Sequence, residues 1–160
     1  MAVLAAFQYD GNEATFALAE GAWTDSDKHK EGGYFATPLT IGQEVELGST
    51  EFLVQTCATT TDIPVGYLKS ITGGKNAENG RYGTVKLYCD FIKEVEIQTA
   101  SDAISVGESV EYFSAGGVYG KGLWQISSAN DTKALQATAA SGSIAAGTRI
   151  YVAFGCYNVA

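Results

Sequence analysis

The sequence predicts a mainly β protein, a β-sandwich or small β-barrels formed by two related units of about 60 residues, with an extended N-terminal arm. Three observations carry that expectation. Apolar and polar residues alternate in short runs, the runs are bounded by glycine, and one strand pattern recurs 65 residues further along, Leu39 onto Ile104. The 160 residues are 46% apolar and 18% charged, with 19 glycines and only two prolines, which excludes a disordered or collagen-like chain.

In chain order, residues 1–38 read as an arm and loop segment and residues 39–160 as a β domain, with the duplication spanning 39–98 and 104–160. The start, Met1 to Gln8, is apolar but has no basic region, so it is not read as a secretory signal, and the chain is expected to be made in the cytoplasm. Ala14 to Trp23 is the best helix candidate, stopped by Gly21. Residues 20–38 mix charges, glycines and aromatics without a period and read as loop.

Strands follow at Ile41, Val45 and Leu47 against Glu44 and Glu46, at Val85, Leu87 and Cys89 against Lys86 and Asp90, and at Val95 and Ile97 against Glu94 and Glu96. Later ones are expected at Val110 and Tyr112, at Leu123 to Ile126, and at Ile150, Val152 and Phe154. Residues 73–80, which contain an Asn-Gly pair, and Gly116-Gly117, between Tyr112-Phe113 and Val118-Tyr119, read as hairpin turns.

The duplication rests on two strands. Leu39 to Leu47 matches Ile104 to Tyr112, with Gly42 on Gly107 and Val45 on Val110, and the same offset carries Val85, Leu87 and Cys89 onto Ile150, Val152 and Phe154. Gly83-Thr84 and Gly147-Thr148 differ by 64 instead, which points to a changed turn.

Chemistry is read mainly by exclusion. A formal charge of -8 repels a phosphate backbone, so no nucleic-acid partner is expected, and no apolar run is long enough for a membrane helix. Cys57, Cys89 and Cys156 are odd in number and lack metal-ligand spacing, so they read as small apolar residues. The single histidine, His29, lies in the charged run Asp25-Ser26-Asp27-Lys28-His29-Lys30 and reads as a surface residue instead of a catalytic base. That run also lacks the glycine and glutamate of a calcium loop, and Gly73-Gly74-Lys75 lacks the spacing of a phosphate loop. No catalytic residue, metal ligand or cofactor is assigned. Aromatic side chains are the remaining candidates for contact, with Trp23, Tyr34, Tyr119 and Trp124 able to stack on sugars or anchor an interface if exposed.

The arrangement Ile-x-x-Gly-x-x-Val at Ile41 onward, then Pro64 to Leu68, then Gly83 to Leu87, with a looser second version from Val106-Gly107 to Ile150 and Val152, resembles the head decoration, or capsid cement, proteins of tailed bacteriophages. The resemblance covers roughly residues 39–154. It implies a small β-rich, non-enzymatic protein, a homo-oligomer with a trimer favoured, bound to the major capsid protein at local three-fold positions on the virion surface. Phe7, Tyr9, Phe16, Trp23, Tyr34 and Phe35 are then the expected partner contacts, offered by an arm that orders on docking. A carbohydrate-binding or adhesion module is the alternative reading, with a tail or spike component beside it.

Overall fold

In the computed structural model the described residues are 8–21, 23–24, 34–57, 64–73, 80–127, 132–139 and 144–156, and among them every regular element is a strand. The chain divides into two compact units, one running through Leu87 and the other from Tyr88 onward, with Ser49–Glu51 grouped with the second.

The first unit contains β1 (Tyr9–Asp10), β2 (Glu13–Leu18), β3 (Trp23–Thr24), β4 (Tyr34–Phe35), β5 (Glu44–Leu47), β6 (Leu53–Thr56), β7 (Gly66–Thr72) and β8 (Tyr82–Leu87). β3 and β4 form a separate two-stranded ribbon. The others follow the order β1-β2-β6-β5-β7-β8, and β8 pairs back onto β2, so β2, β6, β5, β7 and β8 close into a five-stranded barrel. Closure removes the sheet edges and turns the alternating residues into one core. Phe16, Val45, Val54, Leu68 and Val85 are all fully buried in this unit.

Two expectations are corrected here. The stretch beginning at Ala14 is not helical but enters β2, and β2 is an interior strand of the barrel, paired with β8 on one side and with β1 and β6 on the other. The first 38 residues are therefore no appendage where they are described. The cause is legible afterwards: Ala14, Phe16 and Leu18 alternate as a strand should, but Ala17 on the opposite phase is also buried, against Leu53, which fills in the period and mimics a helix.

Near β2 and β8, a buried ion pair fixes the chain entering β5. Arg81 Nε donates to Glu20 Oε1 at 2.9 Å and Nη2 donates to Oε2, while Glu20 Oε2 also accepts from Leu39 N at 2.8 Å and Arg81 Nη2 donates to Leu39 O at 3.3 Å. Both carboxylate oxygens and two of the three guanidinium nitrogens thus have partners, which offsets the removal of two charges from water.

The second unit contains β9 (Phe91–Ile97), β10 (Ser109–Ser114), β11 (Leu123–Ser127), β12 (Thr132–Ala134) and β13 (Arg149–Phe154), in the order β10-β11-β9-β13-β12. Val95, Ile97, Ile104, Val110, Ala134, Ile144, Ile150 and Val152 form its core. Its two outer strands are joined as well, since Gly107 N donates to Ala134 O and Ala134 N donates to Glu108 O, both at 2.7 Å.

The two units share one topology. In each, taking β2, β5, β6, β7 and β8 of the first unit with the β3–β4 ribbon set aside, the first of five strands pairs with the third in parallel, and the remaining pairings of the ladder are antiparallel. The closing bonds of the second unit have direct counterparts in Gly42 N to Leu68 O at 2.7 Å and Leu68 N to Gln43 O at 2.9 Å. The turns that precede them also agree, with Gly42 at φ 91° and Gly107 at φ 90°, a left-handed conformation that glycine adopts without penalty. The offset, however, is not constant. Leu68 faces Val85 and Ala134 faces Val152, so the counterpart of Val85 is Val152 rather than Ile150. That displacement of two residues is one full pleat and keeps the inward face inward.

Candidate docking surface on the second unit

The strongest surface feature is built on the hairpin of β10 and β11. Tyr112 lies on the inward phase of β10 with Val110, and pairs with Trp124 across the hairpin. Its ring meets Trp124 edge-on at 5.7 Å, Trp124 meets Phe154 at 5.3 Å, and Phe154 stacks on Phe91 at 5.2 Å and 13°. These offset and edge-to-face arrangements are the favoured ones for aromatic quadrupoles. The row is open at both ends, since Tyr112 is 56% exposed and Phe91 47%.

The loop that joins β10 to β11 is held by a buried acid. Glu96, on the outward phase of β9 and only 6% exposed, accepts from Val118 N at 2.9 Å and from Tyr119 N at 3.2 Å. Two successive backbone N–H groups turned on one carboxylate make a small anion-binding concavity, here filled from within the chain. Gly117 lies against the same carboxylate, where an added Cβ would come within 2.5 Å of Glu96 Oε1, so only glycine allows the approach. The loop consequently presents Val118, 65% exposed, and Tyr119 to solvent, beside an exposed Phe113. The Arg149 guanidinium sits 4.0 Å from the centre of the Tyr119 ring and pairs with Glu94 at 3.0 Å. Comparison with family models, with curated proteins and with solved structures finds no match to this chain.

Among the described residues, no three His, Cys, Asp or Glu side chains stand close enough to hold a metal. A groove beside β1 and β2 includes Asp10 and Glu13, but Glu13 is bound by Lys69, whose hydrogen bond holds its carboxyl below the usual range. Cys89 is buried, and burial first, then the nearby Cys156 and Asp90, push its thiol up to about 12, the reverse of what a nucleophilic cysteine needs.

The contact residues expected from the sequence are distributed differently. Phe16 is at the centre of the barrel and Phe35 is buried under Arg81, whose guanidinium lies 5.5 Å from its ring, so neither is an anchor in this fold. Tyr9 is on β1 and exposed. Trp23 and Tyr34 have backbones in the β3–β4 ribbon, where Trp23 faces Phe35, but their side chains, like all of Phe7, lie outside the described residues. Sequence reasoning did not select Phe91, Tyr112, Phe113 or Val118. The signal for the last three was present: residues 112–124 hold six large or aromatic apolar positions and glycines around a single charged residue, Lys121.

Proposed function

We propose that this chain is a virion structural protein, a decoration or cement protein that binds the outside of a tailed-phage capsid and stabilises it. In this reading it acts as a homo-oligomer, a trimer at local three-fold positions, with the major capsid protein as its partner. The observation that carries the proposal is the set of exposed apolar side chains, Tyr112, Phe113, Val118 and Tyr119, gathered on one braced hairpin of an otherwise acidic chain. Large exposed apolar groups held in place have one general use, which is to be covered by another surface. The closed β frame supports the same reading, because it holds the hairpin ready and little ordering entropy remains to be lost on binding. A symmetric oligomer would then engage several shell subunits at once and gain by effective concentration.

Co-sedimentation with expanded phage shells tests the proposal. Saturable binding at micromolar protein, with a higher disassembly temperature for the decorated shells, is the expected result. Protein left wholly in the supernatant would refute it. The half-exposed Tyr112 beside Trp124 favours a second reading, a carbohydrate-binding module. Quenching of Trp124 fluorescence by a saccharide, saturable and competed by that sugar, would select it over the first.

A further inference from the structure

We infer that the β10–β11 hairpin is the docking element, and that its seat on the partner is an apolar depression rimmed by carboxylates. This rests on the reading of the chain as a shell-binding protein and names the part that binds. The argument comes from comparing the two units at matched ladder positions. Leu47 opposite Val54 in the first unit corresponds to Tyr112 opposite Trp124 in the second. Leu87 beside Asn12 corresponds to Phe154 beside Phe91. The first unit therefore has no ring at these four positions of the same topology, so rings there are not a requirement of the fold.

Two further differences lie at the same place. The loop between the paired strands runs through residues 48–52 in the first unit and 115–122 in the second. The residue beneath it changes from Ala17, opposite Leu53, to Glu96, opposite Leu123. A carboxylate has been buried where the sister unit has a methyl group, and its partners are the N–H groups of Val118 and Tyr119. Burying an acid is unfavourable unless it is bonded in this way, and the bonds hold the backbone of two exposed residues, Val118 and Tyr119.

Charge identifies the partner. Residues 112–124 contain Lys121 and no acid, in a chain with 18 acids and 10 bases, while the guanidinium beside Tyr119, that of Arg149, is already paired with Glu94. Two hairpins meeting one another would oppose like charges, whereas a shell surface with acidic groups around an apolar hollow complements both features.

The test uses the full-length protein and expanded shells, with the double variant Val118→Ser/Tyr119→Ser, the variant Lys121→Glu, and Ile41→Ser as a control on an exposed residue of the first unit. Thermal melting establishes that each is folded. The expected result is shell affinity lowered about tenfold or more by the double variant, lowered with a shallower salt dependence by Lys121→Glu, and unchanged by Ile41→Ser. If wild type ignores the shells, the functional reading itself fails. If wild type binds and the double variant binds equally well, the functional reading stands and this inference is overturned. Tighter binding by Lys121→Glu would overturn the acidic rim. A wild-type oligomer that light scattering shows to be monomeric in the double variant would make the occupant a second copy, and would overturn the stated partner.

Discussion

Arg81 and Glu20 show how much one buried pair can decide. Their side chains are 9% and 1% exposed, and together they satisfy both backbone groups of Leu39. The hydrogen bonds it donates to Glu20 hold Arg81 protonated more firmly than an ordinary guanidinium, against a burial effect of opposite sign. Arg81→Met should cost about 3–5 kcal/mol, because Glu20 is left charged and unpaired, and urea unfolding would show this as a lower midpoint. Adding Glu20→Gln should return most of the loss, since an amide oxygen still accepts from Leu39. Cys89 gives a second residue-scale prediction. Its folded thiol is pushed up to about 12 from 9.0, so the folded form retains a proton that the unfolded chain releases above pH 9. Its contribution is complete below pH 9 and declines by about 1.4 kcal/mol per pH unit from there toward pH 12. The melting temperature of Cys89→Ala should therefore fall less steeply than that of wild type between pH 9 and 11. Equal slopes would remove Cys89 from the account.

Among the elements, the loop of the β10–β11 hairpin is tied to β9 through Glu96. Glu96→Ala leaves the N–H groups of Val118 and Tyr119 without their carboxylate, and the loop should open locally while the core of Val95, Val110 and Ile150 persists. Amide exchange at Val118 and Tyr119 should accelerate by about tenfold or more with little change in the global melting temperature; unchanged exchange would mean that the loop stands without the acid. The strands themselves were legible because alternation survives in Glu44–Leu47, Tyr82–Leu87 and Arg149–Phe154, each with one phase buried. β2 was not, because buried alanine on its second face erased the period. The loop was hidden for a different reason: Glu96 sits on the outward phase of a strand, where solvent is the default, and only the return of a distant loop buries it.

At the scale of the molecule, the β class could be read from the sequence and small barrels stood beside a sandwich as an option, while the pairing that closes the first sheet could not be read. Closure depends on β2 meeting β8, some 70 positions apart as in Phe16 opposite Gly83, and no local pattern reports such a pairing. The registration of the second repeat was two residues off because the segments joining its strands are each one residue longer, Gly107 to Ala134 against Gly42 to Leu68 and Ala134 to Val152 against Leu68 to Val85. The shared topology makes a graft possible. Replacing residues 115–122 with the sequence of residues 48–52, together with Glu96→Ala, should leave a folded protein with an unchanged far-ultraviolet spectrum and no affinity for shells. Retained affinity would place the binding surface elsewhere.

The matched ladders also set a hazard for the nascent chain, since a strand from one repeat finds in the other a neighbour with the correct polarity and hydrogen-bond spacing. The difference at the pairing of first and third strands would oppose such exchange. β9 lodged in the place of β2 would carry Glu96 to the site of Ala17 under a five-residue loop unable to reproduce its own pair of amides, and β2 in the place of β9 would leave those amides facing a methyl group. A single buried acid would thus distinguish the central strand of one unit from that of the other.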